Sequence, residues 1–207
     1  MPVPKRYPLL LYREWIRPLS PPILAIAVVL TAVWGFTLTG LLPERMMTSV
    51  PARTPLLGLA AAVAFLLWLF IRRLPRAAYV QCRPEYLLLQ LGFLRLIVSY
   101  SRVRTTRSVL HGQIHTIASQ PRSRRALAKT LAGRQCVAVE LTSYPMAFFL
   151  LRAMTHPFLF LGEQPGFLFA VEDWMGLDRE VAEKNAELVA KRKDAARPPR
   201  LGSMTLN

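Results

Sequence analysis

The sequence predicts a two-part protein: a membrane-embedded hairpin of two helices, followed by a cytoplasmic α+β domain of about seven strands capped by a C-terminal helix. Three observations predict it. Twenty residues without a charge run from Ile23 to Leu42, a second apolar run spans Pro55–Ile71, and beyond Arg76 the pattern turns to period-two alternation rich in β-formers.

Composition narrows the class. Of 207 residues, 53% are hydrophobic and 19% charged, with a mean hydropathy of +0.28. Yet 27 Lys+Arg stand against 12 Asp+Glu, a net charge of +15. High apolar content with high positive charge excludes a disordered tail, a collagen-like chain and an ordinary neutral globule. A membrane protein with a basic face and a nucleic-acid binder with a large core both remain, and the placement of the apolar residues favours the first.

Ile23–Leu42 (ILAIAVVLTAVWGFTLTGLL) would be about 30 Å long as a helix, the thickness of a bilayer's hydrocarbon core. Pro55–Ile71 is shorter, but Arg72 and Arg73 can snorkel to extend it. The first run is too long for a signal peptide, starts too far along the chain, lacks a clear cleavage site and precedes a second span. The proline-rich link Pro43–Thr54 makes the pair an antiparallel hairpin. Lys5, Arg6, Arg13 and Arg17 precede it and Arg72, Arg73 and Arg76 follow it, while the link holds only Arg45 and Arg53. The positive-inside tendency then puts both termini in the cytoplasm and the link outside a plasma (inner) membrane. Neither span holds an ionisable residue, so no proton relay or ion path is expected. Gly35 with Thr39, and Gly58 with Ala62, stand at helix-packing spacing. Tyr12 and Trp15, just before the first span, suit either an interfacial belt or packing on the soluble domain.

The soluble domain is expected over residues 76–193, with residues 1–20 a separate cytoplasmic segment and residues 194–207 a disordered basic tail. Ala77–Cys82 and Glu85–Gln90 read as a strand pair turning at Arg83-Pro84. Gly92 punctuates, Phe93–Tyr100 reads as a third strand, and Arg102–Leu110 as a fourth with a basic side. Gln120–Gly133 breaks the alternation and offers a short basic helix. Gln135–Leu141 returns to strand, and Phe158–Leu161 with Phe167–Val171 flank the turn Gly162–Gly166. Asp173 is placed to cap a helix from about Trp174 to Lys193. A fragment starting near Arg76 is therefore expected to fold as a β-rich unit.

Residues 77–110, YVQCRPEYLLLQLGFLRLIVSYSRVRTTRSV at their heart, resemble the bacterial pleckstrin-homology-like domains that follow paired membrane helices. The likeness lies in Glu85-Tyr86-Leu87 after a turn, the glycine at Gly92, and the step Val98-Ser99-Tyr100-Ser101-Arg102-Val103. Ser99 stands where such domains often carry proline, and Tyr144–Pro157 exceeds a minimal core. The resemblance implies a strand sandwich or barrel with a terminal helix, a binding role and no catalysis.

The residues themselves carry no catalytic signature. P-loop, nucleophile-elbow, dinucleotide and His-Glu-x-x-His patterns are all missing from the sequence. His111 and His115 have ligand spacing, but Gly112 between them and a strand-exit context point to loop histidines meeting solvent, with His156 apart, and no metal or cofactor is expected. Cys82 and Cys136 read as buried free thiols, and Glu172 and Asp173 as helix-start carboxylates.

One basic cluster remains. Arg122, Arg124, Arg125, Lys129 and Arg134 fall within thirteen residues that include no acid. Below a bilayer such charges attract anionic headgroups, at about 1 kcal/mol each; alternatively they form a solvated loop. Nucleic acid is disfavoured, since no aromatic residues interleave as stacking platforms. Tyr144–Phe149 (YPMAFF) is apolar enough to be core or a hydrophobic surface for a membrane or partner. The expected function is that of a membrane-anchored, non-catalytic binding or adaptor protein. An accessory subunit of a larger membrane complex is the alternative, and a membrane enzyme of unrecognised chemistry a remoter one.

Overall fold

The computed structural model describes residues 4–39, 54–92, 94–162 and 164–195. The link Pro43–Arg53, the last residues of the expected first span and the tail beyond Ala195 lie outside the described residues.

The chain opens with a short strand β1 (Arg6–Pro8) and a helix α1 (Leu10–Ile16), which a 3-10 turn at Arg17–Leu19 joins to α2 (Ser20–Thr39). The other apolar helix is α3 (Thr54–Arg73). At 20 residues each, α2 and α3 are long and apolar enough to cross a membrane. Only 6% of the most apolar window of either is buried, so their side chains face outward rather than into a protein core. The two helices pack on each other through small residues: Ala27 and Ala61 are buried, and a Cβ at Gly58 would stand 2.8 Å from Cε2 of Trp34. Gly35, expected as a packing residue, has nothing among the described residues within 4 Å of its Cβ position. It lies about 100° round the helix from Trp34, off the contact face.

Beyond α3, a 3-10 turn (Leu74–Ala77) leads into β2 (Ala78–Cys82), β3 (Tyr86–Leu91) and β4 (Leu94–Ser99). They form an antiparallel sheet in the order β1-β2-β3-β4, so the strand preceding the apolar helices pairs with the strand following them, Tyr7 opposite Val80. Three residues ending in Pro8 are too few to show alternation, and Pro8 is tolerated because β1 is an edge strand. Gly92 turns β3 into β4 with φ +61, a left-handed conformation that favours glycine.

The second antiparallel sheet, in the order β5-β6-β7, contains β5 (Val103–Leu110), β6 (Gln135–Leu141) and β7 (Gly166–Phe169). Between β5 and β6 lie the single-turn helix α4 (His111–Ile114) and the helix α5 (Arg122–Leu131), where the basic helix is expected. Between β6 and β7 lies α6 (Phe148–Met154). Phe158–Leu161 does not form the expected strand. Pro157–Leu159 is a 3-10 turn, the Phe158 N–H donates to the His156 ring at 3.2 Å, and only Phe160 bridges Phe167. At Gly166 a Cβ would stand 2.6 Å from the Val139 carbonyl oxygen, so the strand can approach β6 only with glycine there.

The last helix, α7 (Trp174–Ala195), begins at Asp173, whose carboxylate accepts the Gly176 N–H at 2.9 Å, and contacts β2, β5 and β6. Seven strands in two antiparallel sheets with a C-terminal helix are thus present among the described residues; the sheets share no strand and do not close into a barrel. Between them lies one core, where Val80, Leu89, Val98, Val139, Phe167 and Val181 are fully buried. The N-terminal segment belongs to it. Tyr7, Leu9, Leu11 and Tyr12 are buried there, Lys5 and Arg13 pair with Asp173 and Glu172 at 2.5 and 2.7 Å, and the Tyr7 hydroxyl donates to Glu180 at 2.8 Å. Tyr12 therefore packs on the domain, whereas Trp15 stays 42% exposed beside it.

Candidate functional site

The basic cluster divides once helix phase is imposed. Arg122, Arg125 and Lys129 recur at three and four residues along α5 and form one exposed stripe. Arg124 is half-buried on the opposite side, the side that buries Ala128 and Leu131. Arg134 lies beyond the helix, exposed, just before β6. None of the five forms an ion pair among the described residues. The Arg125 guanidinium donates to the Gln120 carbonyl at 3.0 Å, which pins its stem to the helix start.

The histidines are not the solvent-facing loop residues that Gly112 and the strand-exit context point to: His111 and His156 are buried. They converge around Phe158, with ring centroids 5.2, 4.9 and 5.0 Å from it for His111, His115 and His156. The reason is the α4 turn, which places His111 and His115 on one side, their rings 5.1 Å apart, against the segment after α6. Burial first, then the neighbouring imidazoles of His115 and His156, lowers the pKa of His111 to about 4. Burial, then the Arg124 cation, does the same for His156, also to about 4. His115 is lowered by burial, partly offset by its hydrogen bond to the Phe160 carbonyl at 3.0 Å. That carbonyl can only accept, so Nε2 of His115 carries the proton. Both ring nitrogens of His111 are buried without a partner among the described residues. Among the described residues no group of three His, Cys, Asp or Glu side chains is arranged to hold a metal ion.

Cys82 and Cys136 are both free and buried. Burial pushes each thiol up to about 12, away from the nucleophilic thiolate. Two shallow grooves flank α7: one of about 460 Å³ against Arg104–Thr106, and one of about 510 Å³ against the β2–β3 turn at Pro84-Glu85. The second is lined by Ser99, Glu85, Glu187 and Lys191, but the Ser99 hydroxyl bonds that of Ser101 and Glu187 accepts from Lys184.

The feature with the strongest surface character is α6. Leu151 is buried, but Phe148, Phe149, Leu150 and Met154 are exposed, Phe149 by 70%, against 63% for Leu56 and Leu66 on α3. Phe148 is stacked on Tyr144 and edge-on to Phe160, which fixes the helix start to the domain. The composition of YPMAFF signals this surface, but its helical form is hidden because the run is short.

No family model, no curated protein and no solved structure matches the chain. The residues and their geometry define the class: a two-sheet α+β domain threaded onto a pair of outward-facing apolar helices.

Proposed function

We propose that this chain is a non-catalytic binding or adaptor module anchored by α2 and α3 in a plasma (inner) membrane, with both termini and the domain on the cytoplasmic side. The observation that carries the reading is the exposure of α2 and α3, two twenty-residue apolar helices with almost nothing of their own protein around them. The pleckstrin-homology-like reading of the domain draws support from its sheets of four and three strands and its terminal helix. In this reading the exposed stripe Arg122, Arg125 and Lys129, with Arg124 and Arg134 nearby, meets anionic lipid headgroups or an acidic partner surface.

Alkaline carbonate extraction of cells expressing the full chain tests the anchor: the protein stays with the membrane pellet, and release into the supernatant refutes it. Cysteine at Thr48 should label from outside and cysteine at Ser203 only from inside; labelling of both from one side refutes the orientation.

A second reading, an accessory subunit of a larger membrane complex, is favoured by the apolar groove of about 680 Å³ along the helix pair. Its lining includes the exposed small residues Thr31, Ala32 and Ala62, which leave room for a third helix to approach. Purification in mild detergent separates the two: a stoichiometric assembly with another protein supports the subunit reading, and a lone monomer or homo-oligomer supports the anchor.

A further inference from the structure

We infer that α6 is an interfacial anchor: the domain rests on the bilayer that its own helices cross, with Phe149, Leu150 and Met154 inserted at the level of the headgroups. The inference rests on the membrane reading above and adds a lipid contact that the basic cluster does not supply.

Three observations commit the surface to lipid. The first is position. Trp15 lies five residues before the start of α2, about 8 Å along the helix axis. Its ring is 5.3 Å from the ring of His156, two residues past the end of α6. The C-terminal end of α6 is therefore held beside the point where the chain enters the first apolar helix. The second is exposure. Phe149, at 70%, is more open than apolar side chains of the spanning helices themselves, and four of the seven residues of α6 are large, apolar and exposed. A helix left in water would not keep such a face. The third is charge. From His111 to Gly162 the sequence contains a single acidic residue, Glu140, and Arg107 neutralises it at 3.0 Å. Arg152 within α6, and Arg124 near His156, put positive charge beside the apolar surface. Apolar wedge and basic flank together are the chemistry of attachment to an anionic bilayer surface. Exposed Trp15 suits the same level.

The test uses the full chain in vesicles of phosphatidylcholine and phosphatidylglycerol, some carrying nitroxide-labelled acyl chains. Single cysteines replace Phe149, Met154, Val29 and Glu85 in turn (F149C, M154C, V29C, E85C), each labelled with an environment-sensitive fluorophore. Cys82 and Cys136 are buried and react slowly in the folded protein. Val29 is an outward-facing residue of α2, and Glu85 lies in the β2–β3 turn, at the end of that hairpin remote from α3. Labels at 149 and 154 should be blue-shifted and lose most of their emission to shallow nitroxides. The label at 29 should respond to deep nitroxides, and the label at 85 to neither. Water-like, unquenched emission at both 149 and 154, with 29 quenched, overturns the inference while the membrane reading stands. A blue shift at 149 and 154 without nitroxide quenching also overturns it, because protein rather than lipid then covers α6. If 29 is unquenched as well, the membrane reading fails and takes this inference with it.

Discussion

At the scale of single residues, the histidine cluster makes the domain sensitive to acid. His111 and His156 have pKa values near 4 in the fold, below the 6.5 of an exposed imidazole, so the unfolded chain binds more protons between those values. Their contribution to stability is complete above about pH 6.5 and is lost as pH falls toward 4. For His111 the loss amounts to about 2–3 kcal/mol. The full chain in detergent should melt at a clearly lower temperature at about pH 4.5 than at about pH 7, followed by near-ultraviolet circular dichroism. His111→Phe should shrink that difference, and an undiminished difference would sink the account. At neutral pH the same substitution should cost less than about 1 kcal/mol, because it removes a buried polar ring whose nitrogens have no partners among the described residues.

At the scale of elements, α2 and α3 meet where Gly58 admits the Trp34 indole. Gly58→Leu should weaken their pairing by about 1–3 kcal/mol, since even its Cβ would stand 2.8 Å from the Trp34 ring, which must shift to admit it. Gly35→Leu should be neutral, because its Cβ position is open among the described residues. Thermal unfolding in detergent distinguishes them, and equal effects would mean that the helix faces are misassigned. The same pair shows what the sequence could and could not say. Twenty uncharged residues have few homes other than a membrane, and β2 to β6 alternate or carry turn residues, so both were legible. Which glycine lies inward depends on helix rotation, which spacing alone leaves open. Helix phase also divides the basic run, sending Arg124 toward His156 and the stripe of Arg122, Arg125 and Lys129 outward. The convergence of His111 and His115 with His156 joins segments more than forty residues apart and left no local trace.

For the whole molecule, the pairing of β1 with β2 changes what can fold alone. A fragment of residues 76–195 looks sufficient by pattern, yet it lacks Tyr7, Leu9, Leu11 and Tyr12, all buried in the core. Each such side chain contributes about 1.5–3 kcal/mol by burial, and the sum rivals the 5–15 kcal/mol typical of a domain's net stability. That fragment should bind hydrophobic dye and melt without cooperativity. Joining residues 4–16 to its start through a flexible linker in place of the apolar helices should restore a sharp transition, and a sharp transition in the bare fragment would show β1 to be dispensable. Because the chain leaves the sheet after β1 and returns to it as β2, the proposed membrane anchor requires an even number of crossings between them. A chain with one span inserted and the other stalled would strand Tyr7 and Val80 on opposite sides of the bilayer, leaving apolar surface open to proteolysis. Under the proposed anchoring, completion of the sheet would act as a parity check on insertion, made by the same β1–β2 hydrogen bonds that hold the finished domain together.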